Sequence, residues 1–195
     1  NIAPYIYGGT DNKVRQYWPE ENTWQRSSGK YRRMYEVLTP KSTSFTPINY
    51  PIIRYADVLL MFAEADNELT AVPSDSAVNA VNLVRRRGFG LPMTVPGDAD
   101  VSPGDRSSKV NFQVFLRDER SRELCFEGLR KGDLIRWEKF LSEMRAAASE
   151  ISLIAASAYK FESRAGSNVS EKHFLFPIPS DEMSLNRMLK QNPGW

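Results

Sequence analysis

One stretch limits the fold more than any other: Arg54 to Gly88, RYADVLLMFAEADNELTAVPSDSAVNAVNLVRRRG. Ile52, Tyr55, Val58, Leu59, Phe62 and Leu69 recur at three- and four-residue steps, which predicts an amphipathic helix with one apolar stripe and a polar back. Ala63 and Ala65 are small and let a partner helix approach. Pro73 stops this helix, and Ser74 or Asp75 can cap the next by accepting bonds from its free N–H groups. Ala77, Val81 and Val84, with Val78 beside them, form the second stripe. Arg85, Arg86 and Arg87 fall in the last turn, where cations complement the negative helix end, and Gly88 suits a left-handed C-cap. So short a connection makes the two helices antiparallel, the unit of alpha-helical repeat scaffolds.

A second pair is predicted over Phe112–Met144. Phe112, Phe115, Leu116, Leu124 and Phe126 supply its first apolar positions. They flank the charge block RDERSREL, where Asp118 and Glu119 can each pair with Arg122 along the helix. Gly128 breaks the helix, and Leu134, Ile135, Trp137, Phe140, Leu141 and Met144 give the return its apolar face. The offset between the pairs far exceeds the roughly 34 residues of a tetratricopeptide repeat, so the architecture is helix pairs rather than a tandem array.

The fold class expected is mainly α, with tetratricopeptide-like helix pairs, a loop-rich N-terminal segment and little β structure. Residues 1–50 form the aromatic, loop-rich segment, with Tyr31–Leu38 a candidate short strand. Residues 51–88 are the first hairpin, 89–109 a Gly/Pro/Asp/Ser linker, 110–145 the second hairpin and 146–195 a covering segment. A linker that long is usually functional or mobile. In the tail, Phe174–Phe176 reads as extended, Ser180 as a helix cap, and Asn192-Pro193-Gly194 as a turn carrying Trp195 onto the core.

Composition removes several functions. With 41% hydrophobic residues, 26% charged and a net charge of +2, the 195-residue chain fits one soluble domain, and its charge calls for neither nucleic acid nor an acidic membrane. No run approaches the roughly 20 apolar residues of a membrane span. The absence of an initiating Met and of a signal peptide points to a processed product or a fragment. Cys125 is the only cysteine, so no internal disulfide forms; His173 is the only histidine, so no His-pair metal motif exists.

Phosphate loops and the G-x-S-x-G elbow are missing. His173, beside Phe174 in a predicted strand, reads as structural. Asp57, Glu64, Glu68, Glu119, Glu123 and Glu127 contain the two carboxylates a glycosidase needs, yet arginines at 54, 120, 122 and 130 match them, so interhelical ion pairs are the better reading. Arg85–Arg87 and Arg32–Arg33 read as snorkelling cations rather than a phosphate site. The segment QYWPEENTW differs, because Tyr17, Trp18 and Trp24 follow no periodicity and sit among polar, Gly/Pro-punctuated residues. Such rings can stack on the apolar face of a pyranose while Asn22 and Arg26 bond its hydroxyls. Packing over the helices is the competing role for these rings.

Five stretches together resemble the C-terminal half of the SusD/RagB family of outer-membrane nutrient-binding lipoproteins. They are GKYRRMYE, YPIIRYADVLLMFAEADNEL, AVNAVNLVRRRGFG, FLRDERSRELCFEGLRKGDLIRW and FPIPSDEMSLNRMLKQNPGW, in the family's order and spacing. The elements R-Y-A-D, E-R-x-R-E-L, F-E-G-x-R and Q-N-P-G-W are the most specific. The resemblance implies a non-enzymatic protein, lipid-anchored on the outer face of the outer membrane, that captures a glycan (a peptide in some members). It would deliver that ligand to a SusC-like TonB-dependent transporter for nutrient uptake. It implies no cofactor, although some members hold a structural calcium ion, and it places ligand contacts in variable aromatic loops such as the one ahead of GKYRR. Neither the family's N-terminal half nor its lipid-bearing Cys is present in this sequence. Two other functions compete: a helical-repeat adaptor binding a protein segment, and a helical glycoside hydrolase with two carboxylates roughly 5–10 Å apart.

Overall fold

The first helix buries a different stripe from the one its large side chains suggest. The computed structural model describes residues 5–8 and 14–17 as backbone and, beyond them, residues 29–31, 35–40, 42 and 44–195. Helix α1 spans Tyr55–Leu69 and buries Ala56, Asp57, Leu60, Ala63 and Asn67. Tyr55 is 73% exposed and Leu69 88%, with Val58 and Phe62 also facing out. Both stripes have helical spacing and lie one residue apart. The small one wins because Ala56 and Ala63 let neighbouring helices approach closely. Asp57 is tolerated there because Arg120 bonds it at 2.9 Å. Of the two alanines expected to ease this approach, Ala63 is fully buried and Ala65 is exposed.

Helix α2 spans Asp75–Gly88 and follows the sequence reading closely. Ser74 is the N-cap and accepts from the Ala77 N–H, while Ala77, Val78, Val81 and Val84 are buried. The left-handed residue after it is Gly90 (φ 72), not Gly88. Helix α3 spans Lys109–Glu123, is capped by Ser108, and buries Phe112 and Leu116. The three helices share one core, in which Leu60, Ala63, Ala77, Val81 and Phe112 are completely buried.

The 89–109 linker is docked. Ala99 and Val101 are buried, the Val101 N–H donates to Asn82 Oδ1 at 2.8 Å, and the buried Arg86 clasps Asp100 through Nε at 2.6 Å. That guanidinium, hydrogen-bonded to the Asp100 carboxylate, holds the acid below the usual range. The chain divides into two compact units, 1–128 and 129–195, so the predicted second hairpin straddles a boundary.

In the second unit the expected single return helix is two: α4 (Arg130–Arg136) and α5 (Phe140–Ile154), with Glu138 left-handed between them (φ 57). Leu134, Trp137, Phe140 and Val169 make its core, flanked by Ile135, Leu141 and Met144. A 3-10 turn at Ser157–Ser163 leads to α6 (Arg164–Ser167), and α7 spans Ser180–Leu185. Gly166 lets α6 approach α5, since a Cβ there would run into the Met144 carbonyl oxygen.

The turn expected at Asn192-Pro193-Gly194 forms, with the Trp195 N–H donating to the Asn192 carbonyl at 3.2 Å, while other local expectations need correction. Among the described residues of 31–38 no strand forms; Tyr31 is left-handed instead (φ 55). The only strands among the described residues are β1 (Tyr5–Gly8) and β2 (Val14–Tyr17), paired antiparallel with Tyr17 opposite Tyr5. His173 and Phe174 lie in a 3-10 turn, Glu171–Phe174, not a strand. Ser180 is the first residue of α7 rather than its cap, a place Pro179 holds. Trp195 stays 44% exposed, its ring 5.4 Å from that of His173 and its Nε1 donating to the Lys172 carbonyl at 2.9 Å.

Candidate functional site

The sugar platform expected at residues 17–26 enters from β2, which ends at Tyr17, and leaves toward Lys30. Trp18, Asn22, Trp24 and Arg26 lie outside the described residues, and for Tyr17 only the backbone is described. What the structure brings together is the exit. After α3 the chain reverses through left-handed Phe126 (φ 64) and Gly128 (φ 77), which turns Glu127 back beneath Arg54. Arg54 grips that carboxylate with Nε at 2.8 Å and Nη2 at 2.7 Å, and meets Glu123 through Nη1 at 2.8 Å. Lys30 pairs with Glu127 as well and donates to the Glu123 carbonyl at 2.5 Å. The Tyr50 hydroxyl donates to the Glu127 carbonyl at 2.6 Å, and the Tyr31 ring lies 5.3 Å from that of Tyr50.

Charge follows geometry in this anchor. Burial works against the Glu127 carboxylate, but hydrogen bonds from Arg54 and Lys30 overcome it and hold its pKa below the ordinary carboxylate value. Arg54, bonded to Glu127, is driven further into its charged form. Burial beside the Glu127 charge lifts the Tyr31 phenol above its usual value. Lys30 and Tyr31 are therefore tied to the turn after α3 by ion pairing and hydrogen bonding to Glu127 and Glu123 and by the ring contact with Tyr50.

Further aromatic side chains gather downstream of that anchor. A cavity of 430 Å³ is lined by Tyr31, Tyr35, Glu36, Val37 and Ile48, and one of 290 Å³ shares Glu36 and Pro47 with it and adds Phe45. Tyr35 is 70% exposed and Phe45 80%. Tyr31, Tyr35 and Phe45 belong to the aromatic, Gly/Pro-punctuated segment, so the signal that singled out the tryptophans applied to them too. That Tyr31 and Tyr35 line one hollow and Phe45 its neighbour was not legible, because it depends on how the chain folds around them.

Comparison with known proteins decides the family. A sequence model described as the SusD family matches residues 5–195. The chain belongs to the SusD family. A SusD-like protein of Formosa agariphila is 31% identical over 144 residues, covering 74% of this chain and 24% of that protein. A second from the same organism is 35% identical over 107 residues, covering 53% and 20%. A solved SusD homolog from Bacteroides thetaiotaomicron shares 39% identity at a TM-score of 0.69, over 80% of this chain and 30% of that one. The chain thus spans about a quarter of the length of these relatives.

The SusD-like motifs turn out to be partners of one another. R-Y-A-D supplies Arg54 and Asp57, E-R-x-R-E-L supplies Glu119, Arg120 and Glu123, and F-E-G-x-R supplies Glu127. Asp57 bonds Arg120, while Arg54 bonds Glu123 and Glu127. Q-N-P-G-W closes the tail: Gln191 bonds both backbone groups of Ile178, and Asn192 Nδ2 donates to the Phe176 carbonyl at 2.7 Å.

Five of the carboxylates considered for glycoside cleavage, Asp57, Glu68, Glu119, Glu123 and Glu127, lie in such pairs. Glu119 accepts from Arg85 at 2.7 Å and Arg122 at 3.3 Å, and Glu68 pairs with Lys109 at 2.6 Å. Of the cationic run, Arg87 pairs with Glu123 at 2.6 Å, so Arg85, Arg86 and Arg87 are each bound to an acid rather than snorkelling. His173 Nδ1 accepts from the Ser170 N–H at 3.0 Å and caps its own turn. Among the described residues no group of three or more Asp, Glu, His or Cys side chains is placed to hold a metal ion. No described helix is long and apolar enough to cross a membrane.

Proposed function

We propose that this chain is part of a non-catalytic, cell-surface glycan-binding protein that passes its ligand to a SusC-like TonB-dependent transporter. The family match over residues 5–195 carries the reading. In it, the intact protein is held at the outer membrane by an N-terminal lipid. Tyr17, Trp18 and Trp24 form the stacking platform, Asn22 and Arg26 bond sugar hydroxyls, and the Lys30–Glu127–Arg54 anchor holds the platform's far end. The pairing of the family's acidic motif residues with arginines supports binding over hydrolysis, because a general acid needs a raised pKa and Glu127 is held low.

Intrinsic Trp fluorescence of the 195-residue chain, titrated with a panel of oligo- and polysaccharides, tests the reading. A saturable change that disappears in a Trp18→Ala/Trp24→Ala variant is the expected result. The same titration without any response, repeated on the full-length protein, would remove it. One observation favours a helical adaptor as the second reading: the outward stripe of Tyr55, Val58, Phe62 and Leu69 on α1 offers an apolar helix face to a protein partner.

A further inference from the structure

A cleft of 730 Å³ opens between the C-terminal end of α2 and the last turns of α3, within the size range of small-ligand sites, roughly 300–1,000 Å³. Two rings edge it in unusual positions. Phe89, just past α2, is 67% exposed, and Phe126 is 54% exposed. Phe126 is also left-handed (φ 64), a conformation that is strained for an L-residue and that glycine adopts freely. The chain thus bears strain at a bulky residue whose ring lies largely in water. Strain of this kind gathers at ligand sites.

The floor beneath the rings is polar and rigid. The Arg85 guanidinium lies 5.5 Å from the Phe89 ring centre and 5.0 Å from that of Phe115. It holds Glu119, which Arg122 also bonds, and Ser121 adds a hydroxyl to the wall. Glu123 closes the far side, itself held by Arg54 and Arg87. The lining carries two arginines and two glutamates, so its charge is balanced. An anionic ligand would meet two carboxylates, and an apolar one would bury four charged groups away from water at a large cost. A ligand with apolar faces and many hydroxyls satisfies both rings and floor.

We propose that this cleft is a second saccharide site, taking a neutral oligosaccharide with ring faces on Phe89 and Phe126 and hydroxyls on the arginine–glutamate floor. The proposal rests on the glycan-binding reading but uses none of the residues of the 17–26 platform. It is tested by following backbone amide shifts of the 195-residue chain with neutral malto-, cello-, xylo- and laminari-hexaose and with an oligogalacturonate of equal length. A Phe89→Ser/Phe126→Gly variant runs alongside; Gly keeps the left-handed turn at 126, so Glu127 stays in place and a thermal melt confirms folding.

The expected result is a saturable shift at the Gly88, Ser121 and Phe126 amides with a neutral hexaose, and a Kd raised roughly tenfold in the variant. Binding that leaves these amides unmoved and is equally tight in the variant, but is lost with Trp18→Ala/Trp24→Ala, overturns the cleft site and leaves the glycan-binding reading standing. Shifts at the cleft with the oligogalacturonate alone overturn the neutral ligand. No binding of any sugar by the 195-residue chain overturns the cleft site, and the glycan-binding reading falls with it only when the full-length protein is equally silent.

Discussion

Glu127 shows how one side chain can join three distant parts of a chain. Its carboxylate takes Arg54 from the start of α1 and Lys30 from the N-terminal segment, and its own carbonyl takes Tyr50. The side chain is 5% exposed, so removing its charge takes from Arg54 and Lys30 the carboxylate they share, leaving Arg54 with Glu123 and Lys30 with the Glu123 carbonyl. Glu127→Gln is expected to cost about 2–3 kcal/mol at pH 7, measured by urea unfolding. The sign with pH follows from the depressed pKa. A carboxylate held lower in the folded state than in the unfolded one contributes stability above the unfolded value of 4.5 and loses it as pH falls through the folded value. Wild-type stability should therefore fall more steeply than that of Glu127→Gln between neutral pH and acid below that value. Equal slopes for the two proteins would show that the anchor is not ionised as described.

Among the elements, α1 separates what periodicity reveals from what it conceals. The helix, its antiparallel partner, the Ser74 cap and the α2 stripe were legible because each is written in local spacing. Which of two adjacent stripes on α1 faces inward was not, because hydrophobicity favours Tyr55, Val58 and Phe62 while close approach favours Ala56, Leu60 and Ala63. Leu60→Ala should cost about 2–5 kcal/mol, and Tyr55→Gln within about 0.5 kcal/mol of zero, in chemical unfolding of the 195-residue chain. The reverse order would restore the stripe that side-chain size suggests. The linker misled in the same way: its Gly, Pro and Ser content suggests mobility, and its docking depends on the Arg86–Asp100 clasp and on Asn82, 19 residues from Val101. The α5–α6 contact is a third case, where one glycine sets how near two helices lie. Gly166→Ala should lower stability by about 1–3 kcal/mol or more by overpacking against the Met144 backbone, seen as a lower melting temperature with the near-UV signal of Trp137 as reporter.

At the scale of the molecule, legibility followed the range over which residues act. Five motif stretches in order were enough to place the chain in the SusD family, and the charges within them proved to pair with one another. The platform expected at 17–26 rests on composition alone, and Trp18, Asn22, Trp24 and Arg26 lie outside the described residues. The division at Gly128 was hidden because the apolar positions on either side, Leu116 and Leu134, read as one hairpin although they belong to different core clusters. The two core clusters share no residue: one is built on Leu60, Val81 and Phe112, the other on Leu134, Trp137 and Phe140. Substitutions with no common partner add in their effects on stability to within about 0.5 kcal/mol, while those sharing contacts depart further. Leu60→Ala and Phe140→Ala are therefore expected to add, and Leu60→Ala and Phe112→Ala, drawn from one cluster, to deviate by about 0.5–3 kcal/mol. Urea unfolding of the three single and two double variants decides it. A large coupling between Leu60 and Phe140 would mean that the two cores fold as one, and the boundary at residue 128 would then lose its energetic meaning.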